Sequence, residues 1–257
     1  MNYKIFKPYE DRMIAFSTER EGYFLNNLEG ISQGLYGSLN LCHYVGDNTD
    51  HVAHNRQLFC QYHNIEREML FVPRQTHSSN VKRIHPGINL EETDGLTTNI
   101  KGSCIGINTA DCLPLLIYDP THHVAAAVHA GWRGLVGRIA TNAIRLMQQK
   151  YDSSPANLIC AVGPSISVDI YEVGDELKTQ FAQAGFPIEQ IFIDRPEWRK
   201  SHLDLRAAIH YELIANGIEE TNIEISDICT YQNSHKFFSA RQFGINSGRI
   251  FSGIILK

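Results

Sequence analysis

The sequence predicts an α+β (mixed α/β) fold in a single domain spanning residues 1–257. Two observations carry this. The apolar runs are short enough to be buried strands, and they alternate with stretches whose apolar residues recur at helical spacing. No repeat, low-complexity tract or Pro/Ser-rich linker interrupts the chain, so no domain boundary is drawn.

In chain order, residues 11–18 read as a strand. Residues 50–63 (DHVAHNRQLFCQYH) read as a helix, with Asp50 as its N-cap and Val52, Leu58, Phe59 and Tyr62 near one face. Short strands are expected at 69–72 (MLFV) and 80–84. Segment 103–120 (SCIGINTADCLPLLIYDP) holds two apolar runs around the polar insert Asn108-Thr109-Ala110-Asp111 and ends in the turn signal Asp119-Pro120. A strand at 123–129 leads through a Gly-rich turn into a helix over about 135–150, with Leu135, Ile139, Leu146 and Met147 on its buried face. Residues 158–166 (LICAVGPSI) form a strand ending at Gly163-Pro164. Helices are expected around 173–184 and about 204–215, and the tail from Glu224 reads as strands and turns.

A chain of 257 residues, 43% hydrophobic and 20% charged, buries a substantial core without disulfides or metals. Any metal is therefore expected to be catalytic rather than structural. The net charge of -5, with Lys and Arg scattered, argues against a nucleic-acid-binding surface. The N-terminus shows no apolar signal-peptide region, and no window approaches the roughly 18 apolar residues of a membrane span. A cytoplasmic protein without membrane contact is expected. The six cysteines (42, 60, 104, 112, 160, 229) are far apart and form no CxxC pair, so they are expected to be reduced thiols.

Three residues stand out. His77 follows a strand in VPRQTHSSNV, Cys112 lies in NTADCLPLL, and His129 ends a strand in AAAVHAGWRG. Two imidazoles and a thiolate can hold zinc with one position left open, as catalytic sites do. A water there has its pKa lowered towards about 7. The intervals of 35 and 17 residues are not those of a zinc finger. Taken singly, Cys112 also reads as a packed core thiol and each His as a hydrogen-bonded one. A rival reading makes Cys112 a nucleophile with His129 as its base. Asp111 is a candidate acid, although neighbours on a strand face apart.

Asn40 (GSLNLCHYVGD) and Arg56 (HNRQL) are candidate contacts for a polar substrate, or else turn and helix-surface residues. Arg241 and Arg249 (FFSARQFGINSGR) are candidate anion ligands or plain surface arginines. The turn Gly131-Trp132-Arg133-Gly134 suits an anion or is a tight connection into a helix. The tandem His122-His123 is expected in a loop and not to share a metal.

Together the motifs GLYGSLNL with VGD, HNR, RQTHSSNV, TADCLPLLIYD, AAVHAGWRG, AVGPSIS with YEVGDE, and FFSARQFGINSGR occur in the order found in the YfiH-type family. That family is also called the polyphenol oxidase laccase-domain or purine nucleoside phosphorylase family. The resemblance spans about residues 12–255. It implies a single domain of mixed β-sheets flanked by helices, likened to cysteine hydrolases. It implies that His77, Cys112 and His129 ligate the metal, zinc or, alternatively, copper. It further implies phosphorolysis of adenosine, inosine, guanosine and S-methyl-5'-thioadenosine, together with adenosine deamination. The expected partners are purine nucleosides and phosphate, with the chain a monomer or homodimer.

Other labels in the family are copper-dependent polyphenol oxidase and peptidoglycan editing factor, so a hydrolase acting on peptidoglycan precursors is the alternative. For deamination, Asp111 is the candidate proton carrier at the purine C6. For phosphorolysis, Arg56 and Arg241 are the candidate phosphate ligands and Asn40 the substrate contact. The chain departs from the pattern in two places. Ser78 stands where many members carry Gly, and Ala240 and Gln242 stand where many carry Tyr and a second Arg. The second departure leaves Arg241 as the tail's anion-binding candidate.

Overall fold

The computed structural model describes residues 1–21 and 29–257. Strand β1 (Met13–Ser17) falls within the expected 11–18. Helix α1 (Thr49–His63) begins one residue earlier than expected. Its N-cap is Asn48, whose side chain accepts from the amides of Asp50 and His51. Asp50 therefore sits in the first turn, where its charge suits the helix dipole, and does not cap. Its buried row is Val52, Asn55, Phe59 and Cys60, whereas Leu58 is half-buried and Tyr62 exposed. Asn55 draws that face inward. Its amide donates to the Ser32 hydroxyl and to the Ser38 and Asn40 carbonyls, and its oxygen accepts from the Ile31 amide. The helix ends at Asn64 in the left-handed conformation (φ 52°).

Strands β2 (Leu70–Phe71), β3 (Val81–Arg83) and β4 (Gly95–Thr98) follow. The central run makes β5 (Cys104–Thr109), β6 (Leu113–Asp119) and β7 (Val124–Ala130). The single helix expected after β7 is two, α2 (Trp132–Val136) and α3 (Ile139–Tyr151). They break at Gly137 and at Arg138, which has a φ of 57°. A Cβ at Gly137 would press on the Ser79 side chain, so the chain passes too close for a larger residue. The break resets the helical phase. Leu135, Ile139, Ile144 and Met147 are buried, but Leu146 is only half-buried.

Beyond α3 come β8 (Ile159–Val162), α4 (Glu176–Gln183), α5 (Ile188–Ile191), β9 (Phe192–Ile193) and β10 (His202–Leu203). Then α6 (Leu205–Ala215) starts on Asp204, which accepts from the amides of Arg206 and Ala207. The tail holds β11 (Ile223–Ile225), the single turn α7 (Ala240–Phe243) and β12 (Ile250–Leu256). The turn α7 was not expected from the sequence. No described helix is long and apolar enough to cross a membrane.

A six-stranded mixed sheet runs β11-β8-β6-β7-β4-β3, and a four-stranded one β1-β12-β5-β2. In the larger sheet the β11–β8 and β4–β3 pairs are parallel and the rest antiparallel. Strand alternation assigns the faces. Leu113, Leu115, Ile117, Val124, Ala126 and Val128 pack with α3 and α6 residues such as Ile144 and Ile209. Leu116, Tyr118, Ala125 and Ala127 meet Ile105, Ile107 and Ile254 of the smaller sheet. The other face of the smaller sheet, through Phe16, Cys104 and Phe251, packs on Phe59 of α1 and on Leu39 and Leu41. The result is a helix–sheet–sheet–helix stack. Because β6 and β7 are covered on both sides, their sequences are nearly continuous apolar runs.

Gly106 and Gly253 are partners in the β5–β12 ladder. A Cβ on Gly106 would overlap the Phe251 ring. Gly106→Ala should therefore destabilise the fold by about 1–3 kcal/mol through overpacking, read as a lower midpoint in denaturant unfolding. An unchanged midpoint would mean that the Phe251 ring yields freely.

Candidate metal centre

The site forms where β4 and β6 begin and β7 ends, against the loop before β3. Cys112 leads into β6 and His129 is the penultimate residue of β7. His77 lies in the loop after β2, with a φ of 58°. One ligand atom from each of the three lies within 4.8 Å of the others. The two imidazole centroids are 4.8 Å apart at 75°. His129 is buried, Cys112 half-buried and His77 exposed, so the cluster opens to one side. Gly131 leaves the needed room. A Cβ there would come within 3.0 Å of the Cys112 Sγ and 3.2 Å of the His77 ring. All six cysteines are free, and Cys112 is the one that is not buried.

Asp94, which the sequence reading did not single out, organises the cluster. It is fully buried just before β4. Its carboxylate accepts from three successive amides, those of Thr76 (3.1 Å), His77 (3.0 Å) and Ser78 (2.8 Å). It also accepts from the Ser78 hydroxyl at 2.7 Å and from Nδ1 of His129 at 2.8 Å. The backbone adds one more bond, from the His129 amide to the Asp94 carbonyl at 2.7 Å. One carboxylate thus fixes the His77 loop and turns the other nitrogen of His129 towards Cys112. The family departure at residue 78 contributes here, because the Ser78 hydroxyl is one of the bonds. The Thr-Asp-Gly context of Asp94 reads from sequence as a turn signal. Its one distinctive trait, full burial, is not visible there.

The charges follow from this arrangement. Burial alone would raise the Cys112 thiol, but the His129 imidazolium and hydrogen bonds from His129 and His77 outweigh it and lower the pKa to about 6. Burial alone would lower His129, but the Cys112 thiolate and Asp94 raise it to about 9. Burial alone would raise Asp94, but His129 and Ser78 lower it to about 2. In the metal-free protein these shifts favour carboxylate, imidazolium and thiolate along the line Asp94–His129–Cys112. Two imidazoles, a thiolate and an orienting carboxylate are a donor set that can hold a divalent metal with an open position.

The other expected residues lie outside the ligand trio. Asp111, at φ 91°, turns away from Cys112. Its carboxylate accepts from the Thr230 hydroxyl (2.6 Å) and the Arg241 amide (2.7 Å). The Arg241 guanidinium reaches the carbonyls of Ile170 and Glu172 at 3.4 and 3.3 Å. Asn40 is buried and fully engaged within its own surroundings. Its amide donates to Asp47 and the Cys42 carbonyl, and its oxygen accepts from the amides of Cys42 and Arg249. Arg56 donates to the Leu41 carbonyl at 2.8 Å and lies 2.8 Å from His43 Nδ1. Arg249 holds carbonyls of its own loop, at Ser247, Gly248 and Ile245. The Arg133 guanidinium stacks 4.2 Å above Trp132. His122 and His123 bind different partners, Asp119 and Tyr118.

A family profile described as "Multi-copper polyphenol oxidoreductase laccase" matches residues 21–257. The chain belongs to that family. A relative in Bacteroides thetaiotaomicron named purine nucleoside phosphorylase is 37% identical over 251 residues, covering 94% of this chain and 90% of the relative. One from an unknown prokaryotic organism, named adenosine deaminase RL5, is 39% identical over 253 residues, covering 95% and 94%. Among solved structures, YlmD from Geobacillus stearothermophilus superposes with a TM-score of 0.88 at 26% identity, covering 99% of this chain and 94% of that one. YfiH from Bacillus licheniformis gives a TM-score of 0.88 at 27% identity, covering 95% and 93%. The fold is that of YfiH and YlmD.

Two outcomes test the centre. Asp94→Asn replaces one of the two acceptor oxygens by an amide donor, which then faces either the Thr76 and Ser78 amides or the His77 amide and His129. Metal affinity, measured by competition with a chelating dye, should fall roughly ten- to hundredfold. Unchanged affinity would mean that the carboxylate does not orient the ligands. Secondly, a Cys112 pKa lowered to about 6 leaves the thiolate present above that pH and lost below it. Alkylation of Cys112 by iodoacetamide in metal-free protein should rise through about pH 6, well below the about 8.5 of an ordinary thiol. A midpoint near the ordinary value would refute the thiolate–imidazolium pair.

Proposed function

We propose that this chain is a zinc-dependent purine nucleoside enzyme. It phosphorolyses adenosine, inosine, guanosine and S-methyl-5'-thioadenosine, and it deaminates adenosine. The observation that carries this reading is the convergence of His77, Cys112 and His129 around the Asp94 carboxylate. It is supported by relatives named purine nucleoside phosphorylase and adenosine deaminase that cover almost the whole chain. Zinc bound by the trio would supply a Lewis acid with an open coordination position.

The chain's own groups do the rest. Asp94 keeps Nδ1 of His129 protonated, so that Nε2 is the ligand atom. Arg241 has donors left beyond its two long bonds to carbonyls and is the group we assign to phosphate. Asp111 positions Arg241 by accepting its amide. Asn40 and Arg56 act through the Leu39–Tyr44 loop, because their bonds lie within it and its neighbours. In phosphorolysis a phosphate oxygen bonds to the ribose C1', and the C1'–N9 bond breaks with its electrons leaving on the purine. Cations that hold the phosphate favour that step.

Among the described residues the trio is the only metal-competent group of three such side chains, enough to seat one ion. That favours zinc over multi-copper oxidase chemistry, which needs many more ligands. A second reading, a cysteine hydrolase with Cys112 as nucleophile and His129 as base, is favoured by the thiolate–imidazolium pair of the metal-free site. Chelation separates the two. Under the first reading, activity disappears on chelation and returns with zinc. Under the second, metal-free protein stays active and alkylation abolishes activity.

Purified protein should hold about one zinc per chain. Adenosine should give adenine and ribose 1-phosphate with phosphate present, and inosine without it. His77→Ala, Cys112→Ala and His129→Ala should each lower zinc content while leaving the chain folded. Full zinc retention in all three variants would refute the ligand assignment, and absence of both products from zinc-loaded protein would refute the activity.

A further inference from the structure

Tyr171 is not among the residues assigned above, yet the bonds around Asp111 lead to it. Asp111, next to Cys112, holds the backbone amide of Arg241. The Arg241 guanidinium then spans the carbonyls of Ile170 and Glu172, the two residues that flank Tyr171. In that position it lies 5.4 Å from the Tyr171 ring centroid. The backbone of Tyr171 is tied on both sides, its amide to the Ser167 carbonyl and its carbonyl to the Leu203 amide. Its ring is half-buried against the helix-side core. The residue is therefore held in place, with a guanidinium above its ring.

Its hydroxyl makes no hydrogen bond to any described residue. Asp111, whose carboxylate holds the Arg241 amide, directly precedes Cys112 in the chain, so Arg241 and the Tyr171 segment it bridges to stand beside the entry to β6. Burial, and next the Cys112 and Asp111 charges, push the phenol's pKa up, with Arg241 and Arg133 working in the opposite direction. The hydroxyl thus remains a donor at any physiological pH. A held donor beside a guanidinium with spare N–H groups is the chemistry that binds a tetrahedral oxyanion.

We propose that the Tyr171 hydroxyl and the Arg241 guanidinium together form the oxyanion subsite of this centre and hold inorganic phosphate for attack on the nucleoside. The proposal rests on the phosphorolysis reading for its role, but the subsite can be tested without it. Tyr171→Phe removes one oxygen and keeps the ring under Arg241.

The test titrates inorganic phosphate into zinc-loaded, full-length protein by calorimetry and measures the phosphate KM for inosine phosphorolysis. In Tyr171→Phe both the phosphate Kd and the phosphate KM should rise roughly ten- to hundredfold, as loss of a hydrogen bond to a charged group implies. Phosphorolysis should fall more than deamination, which uses no phosphate, and zinc content should not change. A wild-type protein that binds no phosphate overturns the subsite, as does a Tyr171→Phe variant with wild-type phosphate Kd. Equal loss of both activities also overturns it, because that would mark a general structural role. Tyr171-dependent phosphate binding without phosphorolysis would keep the subsite and sink the reaction. Phosphorolysis with an unchanged phosphate KM in the variant would do the reverse.

Discussion

The centre depends on a single buried carboxylate. Burying Asp94 without partners would cost several kcal/mol, and each bond it accepts offsets part of that. In return, three consecutive amides of the His77 loop and the His129 imidazole find an acceptor. The loop's left-handed residue, His77, is a conformation that a non-glycine side chain adopts only when its surroundings impose it. Asp94 imposes it. The β4–β7 pairing carries this further, since it sets the Asp94 carbonyl opposite the His129 amide. A one-residue slip in that register would swing His129 to the helix-side face and separate it from Cys112.

The same geometry explains why two mechanisms compete for this site. A carboxylate, an imidazolium and a thiolate in line look like the parts of a cysteine hydrolase. Neutralise the imidazole and the same atoms become metal ligands, with proton release on binding. His77 breaks the tie. A Cys–His pair has no need of a second imidazole, whereas a metal does. Here that imidazole is held by a strained backbone whose amides are bound by the same carboxylate that orients His129. Gly131 points the same way, because the space it leaves lies between Cys112 and His77.

Much of the fold was legible in the sequence, for an identifiable reason. The helical segments 50–63 and 204–215 and the short apolar run 123–129 each form the expected element within a residue or two. The break at Gly137–Arg138 was not legible, because apolar residues continue on both sides of it. The rotation of α1 was missed because Asn55, a polar residue, is its buried anchor. At the site, residue types and motifs named the trio, but intervals of 35 and 17 residues say nothing about proximity. Asp94 was invisible for a different reason. Its importance lies in bonds to backbone amides, and backbone partners leave no mark on sequence.

Residues 111 and 112 show how the remainder of the site is assembled. Adjacent side chains on a regular strand would face apart. The positive φ at Asp111 achieves a similar separation at a turn, sending Cys112 to the histidines and Asp111 to the tail. The tail residue it captures, Arg241, is 130 positions away in sequence. Arg241 in turn bridges to the Tyr171 segment, so a third region of the chain joins the rim. The proposed metal ligands therefore stand on sheet register and the buried Asp94 carboxylate, whereas the proposed substrate ligands stand on the Asp111 carboxylate and one guanidinium. Substitutions near Asp111 should then alter substrate binding while leaving the ligand cluster in place, because the two halves of the site are built by different bonds.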